Sequence, residues 1–153
     1  DNGTICFVAT GNDGREPVSF PASFSLSLAV GAMGRKGTFP ANTTDAPNTA
    51  APFGTDKKNF VAAFSNIGPD VDFIAPGVGI VSSVPGGYSP FSGTSMACPM
   101  AVGAAARLLS AEADILAMPR NAARAEAMVR FLATKVKPMG FGPTFEGTGL
   151  LFV

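Results

Sequence analysis

Two short stretches of this 153-residue chain combine residue types that could carry out acyl-transfer chemistry. Residues 93–99 read Gly-Thr-Ser-Met-Ala-Cys-Pro and place a serine hydroxyl just before an apolar, alanine-rich run. Residues 9–14 read Ala-Thr-Gly-Asn-Asp-Gly and place an amide side chain in a turn after another apolar run. A hydroxyl can attack a carbonyl carbon, and a fixed amide N–H can stabilise the oxyanion that forms. The two stretches therefore predict a nucleophile, Ser95, and an oxyanion donor, Asn12.

Each stretch also has a purely structural interpretation. A serine or threonine before an apolar run often caps a helix, here Thr94 or Ser95, and Asn-Asp-Gly is a common turn sequence. The length of the match decides between the interpretations. Residues 93–99 resemble, over the pattern Gly-Thr-Ser-Met-Ala-x-Pro, the nucleophile motif of the subtilisin-like serine peptidases, or subtilases. The competing Gly-x-Ser-x-Gly motif of the α/β-hydrolases fails because Ala97 stands where the second glycine is expected.

Other segments are similar to subtilase segments and have implications for the site. Residues 9–14 resemble the segment whose asparagine, together with the backbone N–H of the nucleophile, binds the oxyanion. The resemblance of residues 20–32 implies a cis Phe20–Pro21 bond and a weak cation site, with calcium as a structural ion. The substrate-binding residues that the resemblance implies are Ala9, Thr10, Gly11 and Thr94, and the cation would face the carbonyls of Ala22, Phe24 and Ser27.

The base that a serine nucleophile needs is missing, because the chain contains no histidine. Subtilases carry their catalytic triad in the order Asp, His, Ser along the chain, and only the part that contains the serine is present here. The resemblance therefore implies a serine endopeptidase in which residues 1–153 form the C-terminal portion of the catalytic domain. The aspartate and histidine would come from an upstream segment of the same precursor or from a partner chain. The implied substrate is a peptide or protein.

The absence of histidine leaves a second hypothesis open, a catalytically silent fragment that serves as a binding or structural module. An esterase of the α/β-hydrolase type is disfavoured, since its histidine follows the serine along the chain. Asp72 is not expected to be catalytic, because the catalytic aspartate of subtilases precedes their histidine. We expect Asp72 instead to pair locally or to bind backbone near a strand end, and the resemblance leaves open a contribution to a cation site.

Composition excludes several classes of function. With 14% charged residues, a formal net charge of zero and no basic cluster, the chain is not expected to bind nucleic acid. No apolar run is long enough to span a membrane. Two cysteines, Cys6 and Cys98, are interpreted as buried free thiols, with a bridge between them left open, and no zinc site is expected. The family resemblance favours a secreted or periplasmic location.

Positioning Ser95 and Asn12 requires alternating strands and helices. Short apolar runs at residues 5–10, 26–32 and 79–84 predict strands. Residues 97–109 predict a helix that is apolar nearly all round and is therefore enclosed on several sides. Its alanines and Gly103 would let the sheet approach closely. A second helix is expected after Asn121, with one apolar face made of Ala122, Ala125, Met128, Val129, Leu132 and Val136.

These elements predict an α/β fold of subtilisin-like type, incomplete, with a mostly parallel sheet and helices on both faces. Residues 34–59 are rich in Gly, Pro, Thr, Asn and Ala and predict a surface loop insertion. Because the upstream strands are missing, the sheet is expected to expose an apolar edge. That edge would accept the Asp/His-bearing portion or support self-association.

Overall fold

The apolar runs of the sequence pair into a seven-stranded sheet and a separate two-stranded hairpin. A computed structural model describes residues 2–39 and 43–151. Phe152 and Val153, the end of the closing strand that resembles subtilases, lie outside the described residues. In chain order the strands are β1 (Cys6–Ala9), β2 (Ser27–Arg35), β3 (Thr49–Phe53), β4 (Asn59–Ala62), β5 (Phe73–Pro76), β6 (Ile80–Val84), β7 (Gly87–Phe91), β8 (Val136–Lys137) and β9 (Leu150–Leu151).

The centre of the large sheet is parallel, and its margins are antiparallel. β1, β2, β5 and β9 run parallel to one another. β4 is antiparallel to β2 and β3 is antiparallel to β4 on one side, and β8 is antiparallel to β9 on the other. β1 and β4 lie end to end along one side of β2, because β5 pairs along its other side. The fold is therefore α/β with a mostly parallel central sheet, and the prediction of fold class is confirmed.

Helices lie on both faces of the sheet. They are α1 (Thr94–Leu109), α2 (Ala113–Ala117), α3 (Ala122–Ala133) and α4 (Pro143–Glu146). The long α1 packs on β1, β2 and β5 and contacts α3, while the short α4 packs on β5 from the other face, where Phe145 joins the cluster around Ile74. The core is thus split by the sheet into two apolar layers, and α1 fills the larger one.

Small side chains set the distance between α1 and the sheet. Ala97, Ala101 and Ala105 recur every four residues and are at most 2% exposed, so they form one buried stripe. The opposite flank is open, since Met100 is 45% and Val102 is 44% exposed. The helix is thus enclosed on several sides, as the sequence predicts, but it leaves one flank exposed. A β-carbon on Gly103 would have no neighbour within 4 Å, so the alanines alone permit the close approach.

The outer helix α3 begins where the sequence predicts. The side chain of Asn121 caps it by accepting a hydrogen bond from the Arg124 N–H at 3.3 Å, and Met128 and Leu132 are its buried residues. Val136, which was expected on the same helical face, lies in β8 instead. α3 ends at Ala133, before Val136 is reached. Val136 fits the apolar spacing of the helix, but it pairs with Leu151 in the sheet.

Within residues 34–39 and 43–59, the chain is more ordered than the predicted surface loop. β2 extends to Arg35, a short 3₁₀ helix spans Ala46–Asn48, and β3 adds an antiparallel strand outside β4. An ion pair of 2.6 Å joins Arg35 to Asp56. A hydrogen bond from the Asn59 backbone and the Arg35 side chain lower the pKa of Asp56 to about 2. The segment is therefore tied to the sheet at both ends.

The outer margin of β1 is open, because among the described residues β1 pairs with β2 alone. Cys6 is exposed there, which corrects the expectation of a buried thiol, and Cys98 on α1 is partly buried. Both thiols are free, and burial raises the pKa of Cys98. Within residues 2–39 and 43–151, no helix has the length and apolar character that crossing a bilayer requires.

Candidate active site

Ser95 lies at the second position of α1, and its side chain is exposed. A tight turn delivers it: the Gly93 N–H donates to the Gly77 carbonyl at 2.8 Å, and the Gly93 carbonyl accepts from Met96 N–H at 3.0 Å. The N–H groups of a first helical turn have no carbonyl partner within the helix, and the helix dipole is positive there. Ser95 therefore presents a hydroxyl and a backbone donor at a place that favours developing negative charge.

Asn12 follows β1 and reaches the same turn. Its Oδ1 accepts from the Thr94 N–H at 2.9 Å and lies 3.0 Å from Thr94 Oγ1. The Gly11 N–H donates to Thr94 Oγ1 at 3.3 Å. The cap of α1 is therefore Asn12, a residue distant in sequence, because the helix start itself makes no side-chain capping bond. The purely structural interpretation, in which Thr94 or Ser95 caps the helix, is therefore not what the structure shows.

Two amide nitrogens lie near a common point beside Gly93. A β-carbon placed on Gly93 would lie 3.7 Å from Asn12 Nδ2 and 3.7 Å from the Ser95 backbone nitrogen, with Met96 Sδ at 3.6 Å. Because Oδ1 of Asn12 is engaged by Thr94, its Nδ2 is turned away from the helix backbone and toward this space. The structure thus brings together two N–H donors next to an exposed hydroxyl, an arrangement able to stabilise a tetrahedral oxyanion.

The turn that carries Asn12 is held by Asn66, a residue that the sequence analysis did not single out. Asn66 is 1% exposed. Its Oδ1 accepts from the Asp13 N–H at 2.8 Å, and its Nδ2 donates to Asp13, to Pro17 and to Ser19 over 2.8 to 3.1 Å. A β-carbon on Gly11 would overlap Asn66 Nδ2, so only glycine fits. The sequence signal that could have identified Asn66 is its position within an apolar stretch, where an asparagine needs hydrogen-bond partners.

The other residues implied for substrate binding form two groups, one beside Asn12 and one beneath its turn. Gly11 and Thr94 contact each other beside Asn12, and Thr94 is fully buried. Thr10 is also fully buried; its N–H donates to the Val30 carbonyl at 3.1 Å, and its carbonyl accepts from Ser19 at 2.8 Å. Ala9, the last residue of β1, precedes it and is partly buried. Ala9 and Thr10 therefore lie beneath the turn, and their binding roles stay predictions.

Two of the three carbonyls implied for a cation, those of Ala22 and Phe24, lie beside the Ser27 hydroxyl. Ser27 Oγ lies 3.0 Å from the Ala22 carbonyl and 2.8 Å from the Phe24 carbonyl, and the Phe20–Pro21 bond is cis. One hydroxyl proton cannot serve several carbonyls, and an all-oxygen cluster of this kind fits a weakly held hard cation. Among the described residues, no group of three or more His, Cys, Asp or Glu side chains could hold a metal ion. The calcium site stays a prediction.

Asp72 binds backbone, as the sequence analysis expects. Its Oδ2 accepts from the Ala29 N–H at 2.7 Å, and its own N–H donates to the Ala29 carbonyl at 3.0 Å. Burial raises the pKa of Asp72, and the bond from Ala29 opposes that shift. Asp72 therefore fastens the start of β5 to β2, away from the turn at Ser95.

Comparison with known proteins gives consistent matches. A family model described as "Subtilase family" matches residues 1–138. The chain is 40% identical over 106 residues to alkaline elastase YaB of Bacillus sp. strain YaB, a match covering 69% of this chain and 22% of that protein. It is 36% identical over 105 residues to subtilisin BL of Lederbergia lenta, covering 68% of this chain and 31% of that protein.

Two solved structures have the same fold. The prenylagaramide maturation protease PagA superposes with a TM-score of 0.66 at 27% identity, over 98% of this chain and 48% of that chain. A lanthipeptide protease superposes with a TM-score of 0.68 at 20% identity, over 97% of this chain and 48% of that chain, which shows the fold alone. The chain thus spans about half of these structures and less than a third of the curated relatives.

Proposed function

This chain belongs to the subtilase family of serine peptidases, and we propose that it supplies the nucleophile and oxyanion hole of a serine endopeptidase. In this proposal Ser95 Oγ attacks the substrate carbonyl, and Asn12 Nδ2 and the Ser95 N–H bind the oxyanion. The substrate is a peptide or protein chain. The observation that supports the proposal most strongly is the shared 3.7 Å distance of both donors from one point beside an exposed serine.

The chemistry divides between this chain and residues outside it. As Ser95 Oγ bonds to the carbonyl carbon, a base must take the hydroxyl proton and later give it to the leaving amine. The 153 residues contain no histidine, so we infer that a histidine and its aspartate come from an upstream segment of the precursor or from a partner chain. The limited share of each relative that this chain covers is in keeping with that division.

Two accompanying inferences start from family membership. We infer a secreted or periplasmic location, and we keep calcium as a structural ion near Ser27. A catalytically silent binding or structural module is the second candidate function, which the missing histidine favours. The two candidates differ in whether Ser95 becomes acylated once the triad is complete.

Active-site labelling of the complete parent protein tests the proposal. A fluorophosphonate probe phosphonylates an activated serine hydroxyl, and we expect peptide mapping by mass spectrometry to locate the adduct on Ser95 alone. Boiling the protein before labelling removes the activated site and provides the control. An adduct on another residue, or no adduct in a protein shown to contain the aspartate and histidine, would favour the silent module.

Replacing Gly93 by alanine is expected to lower kcat by about 100-fold with little change in KM. The new methyl group would stand 3.7 Å from both donors, in the space reserved for the oxyanion, where loss of one donor alone costs about 10²–10³. Steady-state kinetics on a peptide substrate would measure the effect.

Gly68→Ala is the matched control for this variant. Gly68 also has a large positive φ, 140° against 158° for Gly93, and a β-carbon there would meet nothing within 4 Å. We expect Gly68→Ala to keep its activity. If both variants lose the same activity, backbone conformation rather than oxyanion space is responsible.

A further inference from the structure

Each of the residues 92, 93 and 94 before Ser95 is held by a different part of the chain. Thr94 donates its N–H to Asn12, and Gly93 donates its N–H to Gly77. Ser92 accepts the Gly79 N–H at 2.8 Å through Oγ and donates the same hydroxyl to Asp45 Oδ1. The first two contacts come from the turn after β1 and from the end of β5. The third comes from the segment 34–59, for which the proposed function gives no role.

The carboxylate of Asp45 is directed mainly at Ser92, in the turn before Ser95, rather than at the helix that follows Asp45. Asp45 precedes the 3₁₀ helix Ala46–Asn48, a position where aspartate usually caps, yet it makes no side-chain capping bond. Within that helix its Oδ1 accepts a long bond of 3.5 Å from the Asn48 side chain. Its Oδ2 lies 3.6 Å from the position of a β-carbon on Gly79, and its contact with Ser92 spans 47 residues of sequence. A purely local role for this carboxylate is therefore not what the structure shows.

The hydrogen bonds run in one direction, from the Gly79 N–H through the Ser92 hydroxyl to the carboxylate of Asp45. A hydroxyl that accepts from one group and donates to an ion makes a stronger bond than either contact alone would give. These hydrogen bonds fix Ser92 against Gly79, in the same turn between β5 and β6 whose Gly77 holds Gly93. Because Ser92 and Gly93 set the direction in which α1 begins, these hydrogen bonds also set the orientation of Ser95.

We propose that Asp45 is a positioning residue for catalysis, which acts through Ser92 to hold the Ser95 hydroxyl and N–H in their reactive orientation. This inference rests on the proposed function of Ser95. The segment around Asp45 is itself attached to the core, because the Asn48 carbonyl accepts a hydrogen bond from the Ala63 N–H at 3.0 Å. Asp45 thus connects an anchored segment to the reacting serine.

The test uses the complete parent protein with Asp45→Ala and Asp45→Asn. Misplacement by about 1 Å can cost about 100-fold, so Asp45→Ala should slow fluorophosphonate acylation of Ser95 and kcat by about 10- to 100-fold, with KM little changed. Asparagine still offers an oxygen to the Ser92 hydroxyl, so Asp45→Asn should stay within about threefold of wild type. Rescue by asparagine separates a hydrogen-bonding role from mere loss of packing.

Asp56→Ala is the matched control, since Asp56 lies in the same segment but binds Arg35 instead of Ser92. It should leave the acylation rate unchanged even where it lowers the melting temperature. Equal acylation rates for Asp45→Ala and wild type would overturn the positioning role while leaving the proposed function intact.

Hydrogen exchange gives a readout that does not need activity. Amides in residues 92–97 should exchange faster in Asp45→Ala than in wild type, while those in residues 101–109 should be unchanged. If wild type is not labelled at Ser95 at all, the proposed function fails, and unchanged exchange in residues 92–97 would then overturn the Asp45 contact as well.

Discussion

Replacing Ser95 by alanine in the complete parent protein is expected to lower kcat by about 10⁶, a magnitude borrowed from the measured loss of the nucleophile in a subtilisin. The physical reason is that alanine leaves the oxyanion donors in place but removes the atom that forms the acyl bond. Ser95 is exposed, and the hydrogen bonds that hold the turn run through Ser92 and Thr94 instead of its hydroxyl. The melting temperature should therefore stay within a few degrees of that of wild type.

Ser110→Ala at the other end of α1 is the control for this variant. Its hydroxyl donates to the Arg107 carbonyl at 2.7 Å, so the same substitution is made directly after the helix without touching the turn. Activity should survive there. Retention of more than about one per cent of kcat in Ser95→Ala, in a preparation free of wild type, would remove Ser95 as the nucleophile.

Asn12→Asp is expected to lower kcat by about 10²–10³, the range measured for loss of one oxyanion donor in a subtilisin. Aspartate keeps an oxygen for the Thr94 N–H, so the cap of α1 survives. It replaces the Nδ2 donor by an anionic oxygen, which repels the developing charge. The expected result is thus a catalytic defect with little change in thermal stability, measured by steady-state kinetics and a melting curve on the same preparation.

Two further variants separate the two functions of Asn12. Asn12→Ala removes both the cap and the donor, so it should lose about 1 kcal/mol of stability in addition to activity. Asn121→Asp makes the same exchange at the start of α3, where the side chain caps the Arg124 N–H, and should leave kcat unchanged. Full activity in Asn12→Asp would show that its amide does not bind the oxyanion.

The sequence predicts most of what places Ser95 and Asn12, because both follow from local patterns. A short apolar run that ends in a Gly-Asn turn gives β1, and an alanine-rich run after Gly-Thr-Ser gives α1. The convergence of the two stretches is a tertiary property, and only the family resemblance implied it. The cap of α1 could not be read from the sequence, since its donor and acceptor are 82 residues apart.

The support of the site is less predictable for the same reason. Asn66 and Asp45 act through contacts 53 and 47 residues away in sequence, and neither falls on a motif position. Composition also misled the interpretation of residues 34–59. Their Gly, Pro and Asn content predicts a loop, yet β3 forms because β4 offers it an edge to pair with. Tertiary pairing thus outweighed local preference in that segment.

The placement of β3 has a consequence for whatever covers the open margin of β1. β3 lies one position further out than β1, opposite β4, and β4 continues the line of β1 along β2. The open edge of β1 is therefore bounded at one end by β3. This edge is about 13 Å long, at about 3.3 Å per residue over the four residues of β1. A strand that pairs with β1 and slides toward β3 is blocked by Thr49, the first residue of β3. Since a slip of one residue would turn every side chain to the wrong face, this boundary acts as a built-in register stop for a short strand and disfavours long ribbon-like stacking of copies.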